Sequence, residues 1–204
     1  MSWLRRSPGF AVPDPYCIAD TECLRNKLGI TDPAVLADAE ARIVSIRDVE
    51  AARTTIAGDY GLGHLQRFHR FLFRDVYDWA GTTRTVDISK PGARFCHWRY
   101  IDDQVSALLS ELARDGNLVG LTTDAFVDAL AHYSGEINVL HPFREGNGRT
   151  SRAFLRQLAA AAGFQLDWSE LSRAANIDAC RSHLHTGDLT DLIEVLRPVV
   201  RRSS

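Results

Sequence analysis

The stretch "NVLHPFREGNGRTSRAF", residues 138–154, interrupts a chain that otherwise has the apolar periodicity of helices. A helix must end near His141, because the residue before a proline avoids helical backbone angles. A second helix is expected to begin at about Asn147 or Gly148, after the glycine-rich loop. The first N–H groups of a helix have no partner within it, and they form an anion-binding site. The stretch therefore predicts two helices joined by a short polar loop that can bind an anion.

Composition places the chain among globular proteins. Its 204 residues are enough for one domain with a sizeable core. The formal net charge of −2 argues against broad electrostatic binding of nucleic acid, so an anion site must be local. No membrane-spanning run or secretory signal is evident in the sequence, and a cytoplasmic protein without membrane contact is expected.

Cysteine usage agrees with that compartment. The four cysteines, Cys17, Cys23, Cys96 and Cys180, form no CxxC pair, which argues against a zinc ribbon or a thioredoxin-type motif. We expect free thiols in a reducing environment.

Apolar residues at helical spacing predict an all-α fold. The first helix is expected to be capped by Asp32 with Pro33 at its first position. Its expected apolar positions are Val35, Leu36, Ala39, Ile43 and Ile46. Further helices are predicted over 62–81, 98–116, 122–141, 148–163, 168–183 and 190–201.

A single β-like segment, residues 82–96, stands between these helices. Val86 and Ile88 alternate with polar residues, and Pro91-Gly92 is a turn signal, so a short hairpin is predicted. Residues 1–30 are rich in proline and are expected to form an extended N-terminal lead-in.

The loop offers the chemistry of a phosphate site. Arg149 and Arg152 are three residues apart and lie on one helical face, where two guanidinium groups suit a polyphosphate. Gly146 and Gly148 let the backbone approach a ligand closely. Asn147 can donate through its amide to a phosphate oxygen.

Two residues of the loop suggest how such a ligand reacts. Glu145 beside the phosphates is placed to hold Mg²⁺. His141, across the loop, could take a proton from an attacking hydroxyl. Phe143 is the one apolar residue of the loop and is expected to anchor it in the core. Together these groups fit transfer from a nucleoside triphosphate onto a hydroxyl, although the loop is not a Walker A motif.

Each of these features is ordinary when it occurs alone. A histidine before a proline is usually a helix end, and arginines three apart are usually a solvated helix face. The functional interpretation depends on all of them lying within residues 141–152. A metal hydrolase is rejected, because none of the seven histidines forms an HExxH motif.

The segment "HPFREGNGRTSR" resembles the Fic-domain motif HxFx(D/E)GNGRxxR at every fixed position. The flanking segments "HLQRFHRFLFRDVYDWAGTTRTVDISK" and "FCHW" are also similar to the family, so the resemblance covers nearly the whole chain. It implies a single Fic domain over residues 1–204, a helical bundle with a flap hairpin at 82–96 and a catalytic loop and helix start at 141–152.

The resemblance also implies an activity. Fic proteins transfer AMP from ATP to a Tyr, Ser or Thr hydroxyl of a target protein and release pyrophosphate. By motif position, His141 would be the general base and Glu145 would hold Mg²⁺, while Phe143 would anchor the loop. The implied nucleotide-binding residues are Gly146, Asn147 and Gly148 as an anion hole and Arg149 and Arg152 on the β- and γ-phosphates.

The flap of the family clamps a target segment by strand addition. Ile88, Ser89 and Lys90 are therefore expected to contact the target or the nucleotide. Asn176, on a later helix, is a candidate for the adenine pocket. For stand-alone bacterial members the resemblance suggests topoisomerase-type targets such as a DNA gyrase subunit.

Many Fic proteins are inhibited by a helix with the motif (S/T)xxxE(G/N), whose glutamate pairs with the second motif arginine. In this sequence only Glu194 has a suitable residue four positions earlier, Thr190, and Val195 then replaces the Gly or Asn. The chain is thus expected to lack its own inhibitor. A separate small antitoxin would then supply the glutamate, as for a toxin.

Other functions remain open at this point. Some relatives transfer phosphate or phosphocholine instead of AMP, and some remove AMP. A different class of function is a nucleotide-binding or partner-binding module without catalysis. The presence of both His141 and Glu145 argues against that class, because binding alone requires neither.

Overall fold

The computed structural model describes residues 14–90 and 93–203. Its helices are α1 (Pro33–Arg53), α2 (Leu62–Phe73), α3 (Ile101–Arg114), α4 (Thr123–Leu140), α5 (Asn147–Ala161), α6 (Arg173–Thr186) and α7 (Thr190–Leu196). Two small antiparallel sheets accompany them, β1 (Ser89–Lys90) with β2 (Ala93–Arg94) and β3 (Phe164–Leu166) with β4 (Val200–Arg202). The predicted all-α class with a hairpin at the expected place is confirmed.

Helices α4 and α5 form the centre of the molecule. α4 packs against α3, α5, α6 and α7, and α5 packs against α1 and α2 as well. The face of α4 that the sequence predicts to be apolar is buried, with Phe126, Leu130, Tyr133 and Ile137 almost inaccessible to solvent. The loop between α4 and α5 is thus held at one end of a well-packed helical pair.

Helix α1 begins as predicted, but the sequence predicts its buried face only in part. The Asp32 carboxylate accepts hydrogen bonds from the N–H groups of Ala34 and Val35 and so caps the helix. The predicted apolar positions Val35 and Ile46 are 55% and 64% exposed. The buried residues of α1 are Leu36, as predicted, and in addition Glu40, Val44 and Ala51, because this is the stripe that faces α2 and α5.

Three other element boundaries were predicted wrongly. α2 ends at Phe73 rather than at Gly81, and the chain continues in turns as far as Gly81. α6 begins only at Arg173, where the Ser172 hydroxyl caps it. The C-terminal helix ends at Leu196, and the next residues lead into β4, which pairs with β3 in a sheet that the sequence did not predict.

The N-terminal segment packs against the loop between α4 and α5. Residues 1–13 of the predicted lead-in lie outside the described residues. From Asp14 onward the segment is looped rather than extended, since Cys17 and Leu24 form an antiparallel bridge. The Asp14 carboxylate forms an ion pair with Arg144 of the loop, at 3.1 Å between Oδ2 and Nη2, and both side chains are buried. This ion pair ties the segment to the loop between α4 and α5.

The four cysteines are all free, as predicted. Within residues 14–90 and 93–203, no helix combines the length and the apolar character that a membrane crossing requires.

Candidate active site

A cavity of about 740 Å³ lies where α4 ends and α5 begins. Its wall is formed by the α4–α5 loop, one face of α1, the flap strands and α6. A cavity of this volume is typical of small-molecule and cofactor sites. It contains the loop residues for which the sequence predicts phosphate chemistry.

His141 closes α4 in a left-handed conformation, with φ of +47°. Its ring stacks on Phe95 of the flap segment, with 3.9 Å between the ring centroids. Nδ1 lies 3.2 Å from the carbonyl oxygen of Asn138, which can only accept, so Nδ1 carries the proton and Nε2 has a free lone pair. Burial, and then the charges of Lys90 and Arg84, hold the pKa of His141 well below its ordinary value. The imidazole is therefore neutral and able to act as a base.

Arg84 holds the end of α4 in this shape. Its buried guanidinium donates to the carbonyl oxygens of His141 at 2.9 Å and Leu140 at 3.3 Å. It also donates to the carbonyls of Val86 at 2.7 Å and Cys96 at 2.5 Å, which belong to the flap segment. Burial lowers the pKa of Arg84 to about 10, so it remains charged near neutral pH. The sequence analysis missed this residue, whose only signal was a charge inside a β-like segment.

Asn147 closes the loop on itself. Its side chain accepts the N–H of Phe143 at 2.8 Å and donates to the carbonyl of Phe143 at 2.7 Å. Buried backbone groups need such partners, and the loop has no helical or strand hydrogen bonds to provide them. One hydrogen of the amide nitrogen is thus engaged in the loop. Its second hydrogen and the backbone N–H are left for a ligand, and donation from this side chain to a phosphate stays a prediction.

His69 of α2 fixes the other side of the loop. Its buried ring stacks on Phe143, with centroids 4.0 Å apart, and on Phe73 at 4.8 Å. Nδ1 accepts the N–H of Gly81 at 2.7 Å, so Nε2 carries the proton and donates to the carbonyl oxygen of Glu145 at 3.1 Å. Burial lowers the pKa of His69 to about 3. Phe143 is buried as an anchor should be, and His69, which the sequence analysis missed, is the residue against which it packs.

The start of α5 is open to a ligand. Gly146 precedes it with φ of +82°, and no side chain caps the helix. A Cβ at Gly146 would lie 2.2 Å from the Phe73 ring, whereas a Cβ at Gly148 would meet Arg152 Nη1 at 3.4 Å. Glycine at 146 is therefore required by close packing against Phe73, and glycine at 148 leaves room beside Arg152. The first N–H groups of α5 have no side-chain cap and are left for an anion.

The two motif arginines differ in their partners. The Arg149 guanidinium lies 4.8 Å from the centroid of the Phe73 ring, and its Nη2 is 2.5 Å from Glu40 Oε1 and 3.5 Å from Glu145 Oε1. Arg152 forms no ion pair within the described residues, and burial, with Arg149 second, lowers its pKa. A partly buried cation without a counter-ion is unfavourable until an anion binds.

Glu40 of α1 is a cavity residue that the sequence analysis missed. Its side chain is 7% exposed, and it accepts hydrogen bonds from the Tyr77 hydroxyl and from Arg149. Burial is the main cause that raises the pKa of Glu40. Glu40 is not among the apolar positions that the sequence predicts for α1.

Of the other predicted residues, some line the cavity and others do not. Lys90 of β1 and Asn176 of α6 line the cavity. Ile88 is buried in the flap segment and is not among the cavity-lining residues, and Ser89 lies half-buried in β1. The predicted turn at residues 91–92 lies outside the described residues. Glu194 of α7 is exposed to solvent and does not line the cavity.

The cavity suits a metal ion that takes most of its ligands from phosphates and water rather than from the protein. Across the described part of the chain, no three histidine, cysteine or acidic side chains are grouped as a metal site. Glu145 is a partly exposed carboxylate in the cavity wall, next to the arginines. Mg²⁺ commonly takes one or two carboxylates and completes its shell with phosphates and water. Glu145 meets that requirement.

Comparison with known proteins agrees with this geometry. A profile described as the Fic/DOC family matches residues 60–159. The protein named probable protein adenylyltransferase Fic of Escherichia coli K12 is 42% identical over 189 residues, which is 92% of this chain and 92% of that protein. The protein adenylyltransferase VbhT of Bartonella schoenbuchensis is 44% identical over 78% of this chain, but the match covers only 34% of VbhT.

The fold has solved counterparts as well. The crystal structure of BepC from Bartonella tribocorum with bound AMPPNP superimposes with a TM-score of 0.85 and 25% identity, over 93% of this chain and 97% of that one. An N-terminal Fic domain from Bartonella quintana with bound ADP has a TM-score of 0.86 at 24% identity, and it shows the likeness of fold alone. Because 42% identity extends over nearly the whole of this chain and of its Escherichia coli relative, the protein belongs to the Fic/DOC family.

Proposed function

We propose that this chain is a protein adenylyltransferase that transfers AMP from ATP to a Tyr, Ser or Thr hydroxyl of a target protein. The observation that carries the proposal is one cavity that is lined by a neutral His141, an uncapped helix start and two arginines. The relatives named protein adenylyltransferases and the AMPPNP bound by BepC support it.

His141 supplies the base. Its Nε2 takes the proton of the target hydroxyl, and the Asn138 carbonyl holds the Nδ1 proton that the resulting imidazolium still needs. The hydroxyl oxygen then forms a bond to the α-phosphorus of ATP. The bond from that phosphorus to the bridging oxygen of the β-phosphate breaks, and pyrophosphate leaves with the electron pair.

The start of α5 receives the negative charge of the leaving group. The first N–H groups of the helix, Arg149 and Arg152 supply fixed donors and positive charge without reorganisation during the reaction. Glu145 would hold Mg²⁺, which when bound supplies further neutralisation of the phosphates.

The target is proposed to bind at the flap. β1 and β2 form a two-stranded ribbon, and Lys90, Ala93 and Phe95 of that segment line the cavity. An extended target segment that adds to this ribbon would bring its hydroxyl toward His141. A topoisomerase-type protein such as a DNA gyrase subunit is the proposed target, in the cytoplasm.

Regulation by a separate antitoxin is proposed as well. Within the described residues no glutamate contacts Arg152, and Glu194 is exposed away from the cavity. A partner that inserts a glutamate beside Arg152 would supply the missing counter-ion. Low activity of the isolated chain that is released by Glu194→Gly would contradict this proposal.

The function is tested by incubating the chain with Mg²⁺, bacterial lysate and ATP labelled at either the α- or the γ-phosphate. AMP transfer labels a target only from α-labelled ATP, whereas phosphate transfer labels it only from γ-labelled ATP. His141→Ala is expected to lower transfer by roughly 10²–10⁴-fold. ATP binding without any labelled target would favour a binding module, and an active His141→Ala variant would exclude the base role.

A further inference from the structure

A carboxylate in the middle of α1 contacts the phosphate site from outside the motif. Glu40 lies 109 positions before Arg149, yet its Oε1 is 2.5 Å from Arg149 Nη2. Glu40 and Arg149 both line the cavity. A buried carboxylate is costly unless it is paired, so its presence here calls for a reason.

We propose that Glu40 is a positioning residue that holds the Arg149 guanidinium in the orientation needed to bind the phosphate chain. The inference rests on the proposed function, since it concerns the same site. Glu40 would act on the nucleotide only through Arg149.

The contacts of Arg149 leave part of its donor set available. Nη2 is held by Glu40, and one face of the guanidinium lies over the Phe73 ring. No described residue accepts a hydrogen bond from its Nε or Nη1 atoms. A planar guanidinium fixed at one corner and on one face presents its remaining N–H groups in a defined direction.

Glu40 is itself held in place. The Tyr77 hydroxyl donates to Oε2, while Oε1 accepts from Arg149. The carboxylate is therefore fixed by a residue from the turns after α2, and it transmits that position to Arg149.

Loss of Glu40 would leave Arg149 with a single acidic neighbour within the described residues. That neighbour is Glu145, whose Oε1 already lies 3.5 Å from Arg149 Nη2. Without Glu40 the guanidinium is expected to move toward Glu145. Such a shift would turn the N–H groups of Arg149 that donate to the phosphates away from the phosphate site.

The alternative role for Glu40 is that of a competitor. A carboxylate on Arg149 could occupy the place of a phosphate oxygen and weaken nucleotide binding. The two roles predict opposite signs, because removing a competitor tightens binding and removing a positioning residue weakens it.

The test is calorimetric titration of a non-hydrolysable ATP analogue into Glu40→Gln, which keeps the shape of the side chain and removes its charge. We expect the dissociation constant to rise about 10-fold, the scale of one charge-assisted hydrogen bond. In an Arg149→Ala background the same substitution should cause no further loss, because the residue it positions is gone.

The fold provides a matched control. Asp48 and Arg156 form a second ion pair between α1 and α5, at 2.8 Å, and neither lines the cavity. Asp48→Asn should change the melting temperature without a comparable change in analogue affinity. If Glu40→Gln does not fold, Glu40→Asp serves, since it keeps the charge but withdraws it by one methylene, and it should also weaken binding.

Analogue affinity that is unchanged or tighter in the Glu40 variants overturns the inference. So does an equal loss in the presence and absence of the Arg149 side chain, or an equal loss in Asp48→Asn. A different result would contradict the proposed function, namely a wild-type chain that binds the analogue but labels no target. In that case the affinity comparison still decides the role of Glu40.

Discussion

The two ring nitrogens of His69 contact two different segments, and this makes their roles separable. Nδ1 accepts from Gly81, at the end of the turns after α2, while Nε2 donates to the Glu145 carbonyl inside the catalytic loop. A glutamine side chain can keep the second bond and an asparagine side chain the first, since their amides extend to the corresponding positions. The conformation of the loop is therefore expected to depend on whether glutamine or asparagine replaces the histidine.

We expect His69→Gln to retain at least 10 times more AMP transfer than His69→Asn. Both variants lose the stacking on Phe143 and Phe73, and each should lower the free energy of unfolding by about 1–3 kcal/mol. Transfer rates on one labelled target, read beside urea unfolding curves, separate the two effects. Equal activity of the two variants would mean that the donation to Glu145 does not govern the loop.

At the scale of elements, the start of α5 contains two glycines with different tasks. Gly146→Ala places a methyl group 2.2 Å from the Phe73 ring at a φ of +82°, and we expect it to destabilise the fold by about 2–4 kcal/mol. Gly148→Ala meets only Arg152 Nη1 at 3.4 Å, so the fold should tolerate it. The methyl group at 148 would instead occupy space beside the helix start and weaken nucleotide binding.

Thermal unfolding and nucleotide titration of both variants check this contrast. The expected pattern is a large drop in melting temperature only for Gly146→Ala and a loss of affinity in a stable Gly148→Ala. A stable Gly146→Ala variant with normal affinity would show that the Phe73 ring can move aside.

How far the sequence predicts the molecule depends on whether the signal is local. The cap at Asp32, the ends of α4 and the place of the flap were recognised, because each follows from a few neighbouring residues. The full buried face of α1 was not, because Glu40 is not apolar and its partners, Tyr77 and Arg149, lie far along the chain. The pairing of β3 with β4 escaped for the same reason, since three-residue strands have no periodicity of their own.

The candidate site divides in a similar way. The motif residues from His141 to Arg152 could be recognised from spacing and resemblance. The residues that hold them, His69 and Arg84, act by donating to backbone carbonyls, and nothing in the sequence marks a carbonyl as needing a donor. Asn147 shows the converse, because the sequence predicts only a phosphate donor at this position, whereas in the structure its side chain also closes the loop.

For the whole molecule, buried neutral histidines link stability to pH. His64 accepts the N–H of Tyr60 at 2.9 Å and donates to the Ile56 carbonyl at 2.7 Å, and burial lowers its pKa. Burial likewise lowers the pKa of His69 to about 3. In the unfolded chain both residues would titrate near their ordinary value of about 6.5. Below that pH the unfolded state binds protons that the folded state does not, so stability is lost as pH falls.

We expect the free energy of unfolding to be independent of these groups above about pH 7 and to fall below about pH 6, by about 1.4 kcal/mol per pH unit for His69. For His69 the fall should continue to about pH 3, its folded pKa. Urea unfolding at pH 7.5, 6 and 5 measures how steeply the free energy of unfolding falls with pH. The substitution His69→Gln should remove the contribution of this histidine to that slope. A slope that is identical in the variant would contradict the assignment.

The ion pair between Asp14 and Arg144 bears on any effort to transplant this catalytic loop into a new protein. Arg144 occupies a position that the motif leaves free, and its buried guanidinium faces the N-terminal segment through Asp14. A recipient scaffold that received only the twelve motif residues would contain the buried Arg144 charge without its ion-pair partner Asp14. This loss is expected to lower the free energy of unfolding by about 3–5 kcal/mol. The portable unit is therefore the loop together with the segment around Asp14, or the loop with an apolar side chain in place of Arg144.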